Sequence, residues 1–240
     1  MVPVSDPGFA DAVAALSAAG AAGTNLCLPF LGALPVSHAS ISTLGAPFGS
    51  ETVCASDDHA AGLDELQIDF GAGPCWDALR TRAPFVDADL DRASETGWPW
   101  LRNALRERGV RAVYAFPLTI GPLDVGALDL YALEPSALNT AQIERASALA
   151  DAATAHVVRQ VVRKLPVAGH DDDDDPGTFS RREVHQATGM IIAQMRLNAD
   201  DAFALLRAHA FAVGRPVRDV AADVVSRRIV FTPNDGAGGD

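Results

Sequence analysis

His170-Asp171-Asp172-Asp173-Asp174-Asp175-Pro176-Gly177 divides the chain and decides how the rest is read. Five adjacent aspartates repel one another, and Pro-Gly ends any regular element, so residues 166–177 read as an acidic, solvated linker. Downstream, residues 178–232 hold 8 basic and 5 acidic side chains, followed by a glycine-rich tail, 233–240. Upstream, residues 1–177 hold 11 basic and 24 acidic side chains. The net charge of −12 over 240 residues taken alone argues against a nucleic-acid partner. Divided at the aspartate run, it becomes an acidic region and a module of net +3. An apolar fraction of 48% with 21% charged residues excludes wholesale disorder.

The small module reads as three helices. In Phe179-Ser180-Arg181-Arg182-Glu183-Val184, Ser180 and Glu183 have the capping-box spacing, and Phe179 and Val184 the staple spacing. Val184, Ala187, Thr188, Ile191, Ile192 and Met195 then mark one buried helical face. Asn198 suits a second N-cap, with Ala202, Leu205, Leu206, His209 and Ala210 on the inner face. Gly214 suits the helix stop, Pro216 the first turn of the next helix, and Val217, Val220, Ala221, Val224 and Val225 its buried side. The expectation is an all-α three-helix bundle.

Only Lys164 among the 19 basic residues is a lysine. Coding bias accounts for the total, so the arginines count where they cluster. Arg181, Arg182, Arg196, Arg207, Arg215, Arg218, Arg227 and Arg228 are candidates for bidentate phosphate pairing. Arg181 and Arg182 fall where a helix dipole disfavours cations, which hints at another use. Gly189 costs about 1 kcal/mol in a helix interior relative to Ala. Close helix packing or close approach of RNA would each account for it.

Three blocks carry a resemblance: Val184-His185-Gln186-Ala187-Thr188-Gly189-Met190-Ile191, Asp201-Ala202-Phe203-Ala204-Leu205-Leu206-Arg207, and Val217-Arg218-Asp219-Val220-Ala221-Ala222-Asp223-Val224-Val225. In this order and spacing they resemble the ANTAR domain, an RNA-binding output module of bacterial antitermination regulators. The resemblance implies contact with paired RNA hairpins of nascent transcripts, often by a dimer, through Arg181, Arg182, Gln186, Ala187, Thr188, Gly189, Arg207 and Arg218. Many members carry Lys where this chain has Thr188, which removes one phosphate contact. A DNA-binding helix-turn-helix fits less well, because Arg215 and Asp223 stand where that motif packs apolar residues.

Upstream, helix and strand patterns alternate over residues 8–165. Phe9, Ala12, Val13 and Leu16 suggest an opening helix, and residues 39–44 and 51–55 short strands. A helix over 60–70 gives way to a loop at Gly71-Ala72-Gly73-Pro74. An edge strand at 84–87, a helix over 98–108, paired strands at 112–118 and 125–131, and a long helix over 140–164 complete the pattern. The order implies an α+β domain around an antiparallel sheet with flanking helices. Gln67-x-x-x-Gly71-Ala72-Gly73-Pro74-Cys75-Trp76-Asp77-Ala78-Leu79, residues 109–118 and residues 125–131 resemble the GAF domain, a sensory fold of bacterial signalling. That resemblance implies an input domain, with or without a small-molecule ligand, whose identity stays open.

A pocket between the sheet and its covering helices is expected to draw on Cys75, Trp76, Trp98, Tyr114, Phe116 and Tyr131, with Phe85 and Trp100 nearby. No cysteine has the adjacent His of haem or bilin attachment, and no metal-type cluster stands out, so the cofactor is left unknown. Cys27, Cys54 and Cys75 are odd in number and irregularly spaced, a poor disulfide framework that fits a reducing compartment. Some free-standing GAF domains reduce methionine sulfoxide with three cysteines, but the surroundings here do not resemble theirs, and no enzyme is expected. The N-terminus lacks a basic secretory region, no stretch reaches the ~18–20 apolar residues of a membrane span, and a cytoplasmic protein is expected. Ile143, Ala146, Ala150, Ala153, Val157 and Val161 form a near-heptad stripe that, with Val13 and Leu16, would build a homodimer interface or cover its own sheet.

Overall fold

The computed structural model describes residues 7–19, 25–92, 97–164 and 181–232. The chain forms two compact units, Met1–Asp173 and Asp174–Asp240, divided inside the aspartate run. The linker over 166–177, the tail over 233–240, and the Phe179 and Ser180 of the expected cap lie outside the described residues.

The large unit is built from α1 (Pro7–Ala18), α2 (Leu28–Ala33), β1 (His38–Thr43), β2 (Glu51–Ala55), α3 (Asp58–Phe70), α4 (Pro74–Thr81), β3 (Phe85–Asp87), α5 (Pro99–Glu107), β4 (Ala112–Ile120), β5 (Leu123–Ala132) and α6 (Thr140–Lys164). The sheet order is β2-β1-β5-β4-β3, every pair antiparallel, with β3 on an edge as its sequence suggests. Helices α2 and α4 were not legible as separate elements. Each is short and starts with a proline in its first turn, and the stretch 71–74 read as loop includes Pro74, the first residue of α4.

Strand alternation gives the sheet two different faces. One carries Ala39, Ile41, Tyr114, Phe116, Leu128 and Leu130, packed with Leu16, Phe30, Ala146, Ala150, Ala153, Val157 and Val161. The near-heptad stripe of α6 is therefore used against its own sheet and α1, which uses up Leu16 and the stripe as a dimer surface; Val13 stays partly exposed. The opposite face carries Val113, Ala127 and Tyr131, covered by Leu63 and Ile68 of α3, Cys75 and Leu79 of α4, and Leu101 and Leu105 of α5.

The expected absence of disulfides is corrected. Cys27 and Cys54 are bonded, with Cα atoms 6.3 Å apart, and only Cys75 is free. Cys27 stands at the start of α2, and Cys54 lies on β2, the neighbour of β1 against which α2 packs. The fold supplies a proximity that a separation of 27 residues does not announce. The fully reduced chain expected from cysteine count is not the state seen here.

The small unit is the expected bundle: α7 (Arg182–Met195), α8 (Ala199–Ala212) and α9 (Val217–Val225). Val184, Ala187, Ile191, Ala202, Leu206, Ala210, Val217, Val220, Ala221, Val224 and Phe231 form its core. Asn198 caps α8 by accepting from the Asp201 backbone N–H at 2.8 Å. Gly214 follows that helix at φ 65°, the left-handed conformation that favours glycine. Pro216 stands at the N-cap of α9, one place before its first turn. Phe231, beyond the last helix, closes the core with its ring edge-on to His209 at 5.4 Å, a contribution the helical periodicity does not reveal.

Candidate functional site

The pocket residues expected from sequence are not brought together. Tyr114 pairs in register with Leu130 and faces α1 and α6, as does Phe116. Tyr131 pairs with Val113 and faces the other way, where Cys75, Trp76, Trp98 and Phe85 also lie. Trp100 is partly exposed and packs on Phe70, ring centres 3.9 Å apart. Aromatic type does not mark a shared face, because the two-residue period of a strand sends its side chains to opposite sides. A surface pocket of about 240 Å³ is lined by Asp91, Asn103, Arg106, Glu107 and Arg111, none of them expected, and Asp91 engages Arg106 at 2.7 Å.

What the α3/α4 side of the sheet holds instead is a polar interior. Ser40, Ser42, Thr52, Asp64, Gln67 and Asp129 are all buried there. Ser40 stands directly opposite Asp129 in the β1–β5 register, and Ser42 lies two residues along, opposite Ala127 on β5 and Thr52 on β2. The Thr52 hydroxyl donates to Asp64 Oδ2 at 2.5 Å.

Gln67 organises this side. Its Nε2 donates to the Tyr131 hydroxyl at 3.0 Å, and its Oε1 accepts from the Cys75 N–H at 3.0 Å. Its backbone oxygen accepts from the Trp76 indole at 3.0 Å. One amide thus ties α3 to β5 and to the start of α4. Gly73 makes the approach possible: it sits at φ 138°, and a Cβ there would fall 2.6 Å from both Gln67 Oε1 and Leu101 Cδ2. Gly126 does the same for the strands, since a Cβ would fall 1.8 Å from the backbone carbonyl oxygen of Ser42.

Electrostatics set the chemistry. Burial pushes the Asp129 carboxyl well above the usual range, Asp64 adds repulsion, and Gln67 offsets part of it. Burial likewise raises the Cys75 thiol, with Asp129 and Asp64 adding to the effect, and it raises the Tyr131 phenol. Cys75 is held as a thiol, the unreactive form. Asp129 was missed by sequence reading, although the signal existed: a lone carboxylate in Val125-Gly126-Ala127-Leu128-Asp129-Leu130-Tyr131, an otherwise apolar strand.

In the small unit, α7 sorts the expected RNA contacts. Arg182, Gln186 and Gly189 are exposed on one helical face, joined by His185, Ala193 and Arg196, which were not singled out together. Arg182 and Arg196 stand about 21 Å apart along the axis at 1.5 Å per residue. An added Cβ at Gly189 meets nothing within 4 Å, so helix packing does not explain this glycine. Ala187 is fully buried between helices and is corrected from contact residue to core. Arg181 is 4% exposed, so its side chain is covered and presents almost no surface to a phosphate. Thr188 turns its hydroxyl onto the Val184 carbonyl at 2.7 Å. Arg207 lies with its guanidinium 5.6 Å from the Phe203 ring centre, and Arg218 is half-buried on α9.

Asp223 accounts for two further arginines. Arg215 Nη1 donates to it at 2.7 Å and Arg228 Nε at 2.7 Å, and together they hold the carboxyl below its usual range. The two polar residues that spoil a helix-turn-helix pattern, Arg215 and Asp223, therefore neutralise each other. Among the described residues, no group of three or more His, Cys, Asp or Glu side chains is arranged to hold a metal.

Comparison with known proteins agrees with both architectures. The GAF domain family profile matches residues 32–158, more than half of the chain, and the ANTAR domain profile matches residues 179–225. The GAF domain of an Acinetobacter phosphoenolpyruvate-protein phosphotransferase is similar in fold, with a TM-score of 0.51 at 10% identity, covering 70% of this chain and 99% of that one. The GAF domain of a Coxiella burnetii phosphoenolpyruvate-protein phosphotransferase gives 0.49 at 18% identity, covering 65% and 94%. No curated protein matches the chain significantly. The chain belongs to the GAF domain family and carries an ANTAR domain as its C-terminal module.

Proposed function

We propose that this chain is a signal-responsive, RNA-binding antiterminator, in which the GAF unit receives a small-molecule signal and the ANTAR unit engages hairpins in nascent transcripts. It acts in the cytoplasm, as a homodimer, and without catalysing a reaction. The observation that supports the output most directly is the exposed α7 face, with Arg182 and Arg196 at its ends and Gln186 and Gly189 between. The arginines place charge for two phosphates, and the glycine leaves the helix backbone open to close approach. The held thiol of Cys75 weighs against a thiol-reductase reading. No helix among the described residues is long and apolar enough to cross a membrane.

Hairpin RNA titrated at several salt concentrations tests the proposal, with duplex DNA of the same sequence as control. The RNA affinity is expected to fall with salt, and Arg182→Ala to lower the slope by about 0.7–1. Equal affinity for the DNA would favour a DNA-binding regulator. No salt-dependent binding to either would leave a dimerising sensor without nucleic-acid output.

A further inference from the structure

Among the described residues, no cationic side chain bonds to Asp129 in the polar interior of the GAF unit. Asp129 is fully buried, and neither of its carboxylate oxygens has a hydrogen-bond partner. The Ser40 and Ser42 hydroxyls complete no hydrogen bond among the described residues either, Ser40 standing beside the Tyr131 hydroxyl, and both are 0% exposed and on the face that Asp129 occupies. The neighbouring charge is Asp64, which repels, and the Gln67 amide faces Asp129 without completing a hydrogen bond. Arg102, the buried cation described in this unit, is committed elsewhere: to Asp87 at 2.5 Å and to the carbonyls of Leu90, Asp89 and Arg92.

A carboxylate enclosed without a partner is costly, and the group that relieves it must bring positive charge and hydrogen-bond donors. A divalent metal fits poorly, since hard cations take six or more oxygen ligands and no three-ligand cluster is present among the described residues. An anion would be repelled by Asp129 and Asp64. A protonated amine carries its charge with three N–H donors and matches a carboxylate flanked by hydroxyls.

We propose that the interior between the sheet and α3/α4 binds a small organic ammonium, with Asp129 as its counter-ion and Ser40 and Ser42 as hydroxyl acceptors. This deepens the reading of the unit as an input domain and rests on it.

The test is calorimetric titration of the full chain with methylammonium and with 1,4-diaminobutane, against sodium and potassium chloride at matched ionic strength. Fluorescence of Trp76, whose indole is bonded to Gln67, gives a second readout. Saturable binding of at least one amine is expected, weakened at least tenfold by Asp129→Asn and also by the pair Ser40→Ala with Ser42→Ala. The serine pair keeps the test open should Asp129→Asn fail to fold. No saturable binding of either amine overturns the proposal, as do unchanged affinities in the folded variants. Equal binding of sodium or potassium overturns it in favour of a simple cation. Hairpin RNA binding measured on the same preparations separates the two readings. Amine binding without RNA binding sinks the output proposal alone, and RNA binding without amine binding sinks this one alone.

Discussion

The two faces of one five-stranded sheet are buried equally well and built oppositely. Toward α1, α2 and α6 the sheet presents Ile41, Tyr114, Phe116, Leu128 and Leu130, and the Cys27–Cys54 disulfide closes the layer. The Tyr114 hydroxyl, its one aromatic polar group, is satisfied by the Ser136 carbonyl. Toward α3 and α4 the sheet presents Tyr131, bonded to Gln67, and Ser40, Ser42 and Asp129, whose side-chain oxygens have no hydrogen-bond partner among the described residues. The first face is what stability alone selects. The second gives up stability at the point where a sensory domain needs a chemical preference.

The largest expected effect breaks the first face. Phe116→Ala removes a fully buried ring, and the cost is about 3–5 kcal/mol, a fall of roughly 10 °C in Tm. All three tryptophans, Trp76, Trp98 and Trp100, lie in the large unit, so thermal unfolding followed by their fluorescence reads this unit by itself. A loss below about 1 kcal/mol would mean that this face is not the close-packed layer described. Next in size is the disulfide. Cys27→Ser, or reduction of the native protein, is expected to cost about 2–4 kcal/mol by the same readout.

A third substitution acts on the second face with the opposite sign. Asp129→Asn removes a buried ionisable group without a cationic partner, and stability at neutral pH is expected to rise by about 1–3 kcal/mol. The pH dependence sharpens this. Asp129 is harder to ionise in the folded state, so its contribution is complete below the ordinary carboxylate range. That contribution is lost as pH rises toward the raised value, because the unfolded chain releases its proton first. The wild type should therefore lose stability from acid toward neutral pH, and Asp129→Asn should flatten the slope. A variant less stable at neutral pH would show that Asp129 is already paired in solution.

Much of the architecture was legible because it rests on local rules. The long helix over 140–164, the strand pairs and the three bundle helices follow from periodicity, and Asn198 and Gly214 occupy the positions their chemistry suits. The polar interior of the GAF unit was not legible in the same way. Aromatic character does not report which face a side chain takes, and strand alternation sends Tyr114 and Phe116 to one side and Tyr131 to the other. The residues that give the interior its character, Ser40, Ser42, Asp64 and Asp129, come from three elements distant in sequence. Only the register of β1 with β5 makes neighbours of Ser40 and Asp129. The Cys27–Cys54 bond escaped notice for the same reason.

The smallest expected effect concerns the counterpart of Asp129 in the other unit. Asp223 also interrupts an apolar run, Val220-Ala221-Ala222-Asp223-Val224-Val225, yet it has what Asp129 lacks: two arginines. Its pH sign is therefore reversed. Arg215 and Arg228 lower its ionisation range, so its contribution is present above the ordinary carboxylate range and is lost as pH falls through the lowered one. Exposed pairs contribute little, so Asp223→Asn should lower the thermal midpoint of the helical unit only slightly. Far-UV circular dichroism after the tryptophan transition is resolved makes that measurement. The sharper consequence lies in RNA binding, because the substitution frees two guanidinium groups from an internal partner. The salt slope for hairpin RNA should steepen by about 0.7 for each phosphate newly contacted. An unchanged slope would confine the RNA surface to α7, with Arg215 and Arg228 serving only to hold the end of α9. A steeper one would extend that surface to the turn before α9, and Asp223 would then set how much of the module's positive charge reaches RNA.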